Sequence, residues 1–359
     1  MKKQLRTASL LASTAGVALI GLSVPVQADT LRLLTWGGYA PEDVIALFEE
    51  QTGHTVEVTT SNNEEMISKL RATGGSGFDL AQPSQDRIAG PQAEFGIYKP
   101  MDLSKLDTAL FIPSMLEATK GNTTVDGEVY GVPHVWGTSA LVVDTAKAGM
   151  VKDYTDLCLP ELAGKVTYRL KRPTLIGFAY AMGMDPFAAY GDEAAYQEIL
   201  DAVEAKLIEC KPNVKTYWSG SDELLNLMRS GETVASMAWD TGGWKLNDDN
   251  QDITTVAPAS GALGWIDTFV LPAKGQADEA AYAWINFVMQ PEIAARITEA
   301  AGNFTASAGS DAFVNEALKA KFQATFPPEA VDNIKWYPPV PAGLEALEGD
   351  TLDRVQAAG

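Results

Sequence analysis

The stretch VYGVPHVWGTSALVV, Val129 to Val143, is a β-rich run longer than one ordinary strand, interrupted by Pro133 and Gly137. A strand of that length can leave one packing unit and enter another. Residues 253 to 273 form a second β-rich run, ending at Phe269-Val270-Leu271-Pro272. Two crossings between two α/β units imply two lobes, neither of them a continuous segment, with the cleft between them as the natural binding site.

The segments on either side of the first crossing alternate strand and helix. Thr30 to Trp36 reads as a buried strand, and Pro41 then opens a helix whose Val44, Leu47 and Phe48 share a face. A strand at Val56 to Thr60, a helix at Glu64 to Ala72 and a strand at Phe78 to Pro83 complete a parallel, doubly wound beginning. The Gly74-Gly75-Ser76-Gly77 turn precedes a strand rather than a helix, so it reads as a reversal and not as a phosphate-binding loop. Beyond the crossing come a strand at Lys165 to Leu170, helices at Leu175 to Met182 and Ala195 to Glu209, and a strand at Val214 to Trp218. Ser221 is placed to cap a helix over Asp222 to Arg229, and Val234 to Trp239 is a further strand. An amphipathic helix over Ala277 to Met289 follows the second crossing, and Tyr337-Pro338-Pro339-Val340-Pro341 reads as a surface strap.

Lys2, Lys3 and Arg6 precede an apolar run from Ala8 to Val24, and Val26-Gln27-Ala28 is a small-residue cleavage pattern ahead of Asp29. Residues 1 to 28 thus read as a cleavable signal peptide, with cleavage after Ala28 and the periplasm as the destination. Removal of those three cations takes the formal charge from −20 to −23. Nucleic acid and anionic membranes are poor partners for such a chain. Cys158 and Cys210 are the only cysteines, and in an oxidising compartment a pair favours a disulfide. His54, in a turn before a strand, is expected to face solvent, and His134 to be a satisfied, half-buried side chain. With these as the only imidazoles, a metal site or a nucleophilic triad has little to work with, and neither a metal nor a cofactor is expected.

Aromatic and acidic residues recur together at three stations: Trp36-Gly37-Gly38-Tyr39, Trp239-Asp240 and Trp265-Ile266-Asp267. An aromatic face beside a carboxylate suits a desolvated ammonium group. Trp265 and Asp267 are two apart on a strand and point to one face. Asp240 can instead cap the helix that follows it, whereas Asp267 lies inside a strand and has no such role.

The order of Thr35-Trp36-Gly37-Gly38-Tyr39, Phe78-Asp79-Leu80 running to Pro83-Ser84, Val132-Pro133-His134-Val135-Trp136-Gly137, the strand into Trp239 and Gly264-Trp265-Ile266-Asp267 resembles the periplasmic spermidine/putrescine-binding proteins, receptors of polyamine ABC importers. The resemblance spans nearly the whole mature chain. It implies an α/β, two-lobed periplasmic binding protein of the type II flytrap kind, each lobe a sheet flanked by helices. The implied lobes are 29–138 plus 266–308 and 139–265 plus 309–359. Carried over by position, Trp36, Tyr39, Ser84, Gln85, Trp239, Trp265 and Asp267 would line the cleft, Asp267 receiving an ammonium. A monomeric, non-enzymatic protein without cofactor, delivering a small molecule to a separate permease, is what the resemblance implies.

One stretch departs from that family. Where its second lobe supplies acids for the ligand's other amine, this chain has Arg169-Leu170-Lys171-Arg172-Pro173-Thr174, with Lys171 and Thr174 at the acidic places. A cation facing a ligand ammonium repels it. The cluster, to which Lys165 also belongs, is either an exterior feature such as a permease-docking face or part of the cleft. In the second case the ligand carries an amine for Trp265 and Asp267 and an acid for Arg169 or Arg172. The alternatives are a true polyamine receptor, with Asp240 or Asp86 replacing the missing acids, and, more distantly, a secreted hydrolase or transferase.

Overall fold

The computed structural model describes residues 29 to 358. The signal peptide expected over residues 1 to 28 lies outside the described residues. Strand Thr30–Thr35 buries Leu31, Leu33 and Leu34 completely, because parallel neighbours flank it: Thr55–Thr60 on one edge and Leu80–Ala81 on the other. Helix Glu42–Thr52 connects the first two, with Glu42 and Asp43 in its first turn and Gly53 in the left-handed conformation at its end. Val44 and Phe48 are its buried face. Asn62 caps the next helix, Asn63–Thr73, its side chain accepting from the Glu65 amide.

The two crossings are the strands Gly131–Asp144 and Leu263–Pro272, which pair antiparallel along most of their length. The sheet therefore continues through both α/β units. From one edge its order is Thr55–Thr60, Thr30–Thr35, Leu80–Ala81, Leu263–Pro272, Gly131–Asp144, Ala235–Trp239, Val166–Tyr168 and Val214–Tyr217. The last three are parallel to one another. Separate apolar cores lie on the two sides: one around Phe48, Phe269 and Trp284, the other around Tyr154, Tyr168 and Tyr196. The partly buried indole of Trp265 packs against both.

Several boundaries differ from the sequence reading. The third strand is only Leu80–Ala81, since the chain then turns into a short 3-10 helix at Gln85–Arg87. The second crossing is two strands, Ile253–Val256 on the edge of Gly131–Asp144 and Leu263–Pro272 beside it. The helix expected from Leu175 begins at Arg172, because Pro173 is suited to a first turn where its missing N–H costs nothing. Ser221 is the first residue of helix Ser221–Arg229, and Gly220 occupies the cap position without a side-chain bond. His54 is 4 % exposed, not solvent-facing; its Nδ1 accepts from the Asp29 amide at 3.1 Å.

The strap crosses from one unit to the other. The Tyr337 amide donates to Gly264 O at 3.0 Å and the Val340 amide to Asp86 O at 3.0 Å. Helix Leu344–Ala357 then packs on helix Glu193–Cys210. Among the described residues no helix is long and apolar enough to cross a membrane. Cys158 and Cys210 are joined, their Cα atoms 4.7 Å apart, tying the turn Tyr154–Cys158 to the end of helix Glu193–Cys210. Thiol titration of the denatured, unreduced protein should find no reactive thiol, and two would show the bond absent in solution.

Candidate functional site

A cleft of about 780 Å³ opens between the two units. Its walls include Trp36, Tyr39, Ser84, Trp239, Trp265 and Asp267, so six positions scattered over the chain meet in one space. Trp36 directly follows the first strand, and its indole Nε1 donates to Gln82 O at 2.8 Å. Gly38 turns the loop back with φ +87°, and a Cβ there would lie 3.0 Å from the Ala301 Cα. That approach sets Tyr39 deep in the cleft wall, 4 % exposed.

Asp267 is at the floor. Its Oδ1 accepts from Ser84 Oγ at 2.6 Å and its Oδ2 from Tyr39 OH at 2.6 Å. The ladder between the crossings slips between Asp267 and Thr268, where His134 is the extra residue opposite. Such a bulge re-aims the strand. Thr268 then turns its amide and hydroxyl to Pro83 O, at 2.9 and 2.7 Å. Burial lifts the Asp267 pKa to about 7, against the hydrogen bonds of Ser84 and Tyr39. Among the described residues no cation comes within salt-bridge distance of it.

The basic stretch divides. Arg169 and Arg172 line the cleft, while Lys165 and Lys171 are exposed and lie outside its wall, Lys171 at the cap of helix Arg172–Ala181. The Arg169 guanidinium lies 5.1 Å from the centre of the Trp239 ring and 5.6 Å from that of Trp218. The two indoles themselves meet edge to face at 5.1 Å. Burial lowers the Arg169 pKa against the pull of Glu64, yet a guanidinium remains charged at neutral pH. No carboxylate lies within salt-bridge distance of it among the described residues. Arg172, by contrast, is paired: Asp86 Oδ2 lies 3.0 Å away and Glu348 Oε1 3.3 Å.

Four residues expected at the site stand elsewhere. Gln85 is buried behind the wall, accepting from Thr119 Oγ1 at 2.9 Å. Thr174 is buried in the first turns of its helix, where its hydroxyl donates to Arg169 O and so positions the arginine from behind. Asp240 opens helix Asp240–Asp249 and accepts from the Thr138 amide and hydroxyl, the Thr241 amide and Asn303 Nδ2, each within 2.9 Å. Its oxygens are occupied by the scaffold. Lys171 points to solvent. His134 is wholly buried with a pKa lowered by burial to about 3, so it holds Gln82 as a neutral ring and is no base at neutral pH.

The sequence reading missed Asn63 and Glu64, Lys245, Asn303 and Tyr337, all of which line the cleft. The capped start Asn62-Asn63-Glu64-Glu65 was a usable sign, since a helix N-terminus after a sheet strand faces the crevice at the strands' ends. Tyr337 carried no such sign, because only the path of the strap brings it there.

Residues 43 to 325 match the model of the family described as bacterial extracellular solute-binding protein. The chain belongs to that family. The binding protein is 27 % identical over 341 residues to the spermidine/putrescine-binding periplasmic protein of Escherichia coli K12, covering 93 % of this chain and 94 % of that one. Its fold is similar to that of the spermidine/putrescine ABC transporter substrate-binding protein PotD from Streptococcus pneumoniae, with a TM-score of 0.73, 22 % identity, and 92 % and 99 % of the two chains covered. It is also similar to the Atu4243–GABA receptor, with a TM-score of 0.68, 18 % identity, and 92 % and 97 % covered. The fold is thus the two-lobed one of the solute-binding receptors of ABC importers, and it is shared by proteins named for quite different small amines.

Proposed function

We propose that the binding protein captures a small solute with an ammonium group at one end and an acidic group at the other, and presents it to an ABC permease. The observation that carries this is a pair of opposite groups in one aromatic-walled cleft, neither with a salt-bridge partner among the described residues: Asp267 on the floor and Arg169 beside Trp218 and Trp239. A buried charge without a partner is costly, and a ligand that supplies both partners removes both costs at once. Trp36, Trp239 and Trp265 offer the faces against which the connecting carbons pack. Lobes of 29–138 plus 266–308 and 139–265 plus 309–359 would close on the two ends together. Export by residues 1 to 28, with cleavage after Ala28, would deliver a non-enzymatic, cofactor-free monomer to the periplasm.

A second reading rests on relatives named for spermidine and putrescine. It requires another carboxylate for the second amine. Of the acids at or beside the cleft, Asp240 is bound into the scaffold, Asp86 is paired with Arg172 and Glu64 with Arg87, Glu223 accepts from Ser219, and Asp222 is exposed on the same wall. Calorimetric titration of the mature protein with putrescine and with 4-aminobutanoate, a zwitterion of similar length, separates the two. Tighter binding of 4-aminobutanoate is expected, and tight putrescine binding would overturn the zwitterion reading.

A further inference from the structure

The Asp86–Arg172 pair lies in the wall of the same cleft and is not part of the Asp267–Arg169 arrangement. Asp86 belongs to the short helix after the third strand of the first unit, and Arg172 opens a helix of the second. Both side chains are nearly closed to water, at 7 % and 5 % exposure. Among the described residues Arg172 is the one side-chain donor to Asp86. On its other edge Arg172 faces Glu348, which also accepts from Tyr196 OH at 2.6 Å, and its guanidinium bonds Tyr190 OH. The rings of Tyr190 and Tyr337 each lie 5.6 Å from it. Neighbouring Arg87 is held elsewhere, by Glu64 and Glu345.

We propose that Arg172 is a specificity-determining residue: it masks Asp86, a second carboxylate in the cleft wall, and so keeps the site from accepting diamines. This rests on the zwitterion reading and explains how a cleft with Asp86 in its wall can still discriminate against a second ammonium. A carboxylate whose charge is engaged by a buried guanidinium has little left to offer a ligand cation, and the guanidinium itself repels that cation. Discrimination is then built by a repulsive element as well as an attractive one.

The test unmasks Asp86 without altering the net charge of the cluster. In Arg172→Met/Glu348→Gln the methionine keeps an apolar stem against Tyr190 and Tyr337, the glutamine can keep the bond from Tyr196, and one cation and one anion leave together. Putrescine should bind at least about tenfold tighter than to wild type, the range expected of a charge-assisted bond. Adding Asp86→Asn should abolish the gain. No gain in a protein with a cooperative melt, or a gain that survives Asp86→Asn, overturns the proposal. Should the double variant not fold, Asp86→Asn alone reads the same masking from the other side. It frees Arg172, so the ratio of 4-aminobutanoate to putrescine affinity should rise at least about threefold; an unchanged ratio overturns masking. The wild-type titration keeps the two ideas apart: tight putrescine binding there defeats the zwitterion reading and masking together, whereas weak binding that the variants leave unchanged defeats masking alone.

Discussion

Asp267→Asn should weaken binding of an amine ligand by about tenfold to a hundredfold, while leaving the ligand-free protein no less stable at neutral pH. The loss follows from removing a carboxylate that would make a charge-assisted bond to a buried ammonium, typically worth about 1.5 to 3 kcal/mol. The stability half follows from the sign of the shift. Burial raises the Asp267 pKa to about 7 in the empty cleft, so the folded state holds its proton more tightly than the unfolded chain does. Its contribution to stability is therefore lost as pH rises from the ordinary carboxylate range through about 7, and asparagine does not carry that cost. The same proton opposes binding: ligand affinity should fall as pH drops below about 7, by up to about tenfold per unit, and the pH dependence should flatten in Asp267→Asn. Calorimetry across that range, with melting curves of the free proteins, checks both halves. Unchanged affinity in a folded variant would remove Asp267 from the site.

Arg169→Gln should lower 4-aminobutanoate affinity by about tenfold or more and leave putrescine binding unharmed or improved. The guanidinium is shaped for a planar acid and already oriented by two indoles, so little freedom is lost when it binds. Arg169→Lys keeps the charge but gives up the fork and the stack, and should fall between wild type and glutamine. Parallel titrations of the three proteins decide the matter. Equal losses for both ligands would point to a collapsed cleft wall, and no loss at all would place the acid elsewhere.

Much of this arrangement was legible in the chain because strands transmit pattern directly. Trp265 and Asp267 share a face by their spacing alone, and the two long β-rich runs by their length imply two crossings. The helical spacing of Tyr196, Ile199, Leu200, Val203 and Leu207 gives them one face, and in helix Glu193–Cys210 all but the half-buried Ile199 are buried. The basic stretch resisted reading because four cations within eight positions carry no mark of direction. Between the strand end at Tyr168 and the helix start at Arg172 the chain places Arg169 and Arg172 in the cleft wall and leaves Lys171 exposed, a division that their spacing alone does not give. Partners remote in sequence were equally invisible: Asp86 meets Arg172 across 86 positions, and the strap places Tyr337 beside them. Asp240 was ambiguous for a different reason, since a carboxylate after a strand serves a helix start as readily as a ligand.

The position of the Trp265 ring in the cleft wall depends on a residue outside the lining. Gly137 faces Trp265 across the ladder, and a Cβ there would stand 2.6 Å from the indole Cζ2 and 2.5 Å from Asn303 Nδ2. Neither neighbour can retreat without loss, because the indole is wedged against both apolar cores and Asn303 anchors Asp240. The smallest added side chain would therefore have to displace the Trp265 ring or Asn303, both of which line the cleft. The absence of one carbon behind the wall thus leaves room for the indole where it stands, so a substitution at Gly137 should alter the cleft without replacing any residue that lines it.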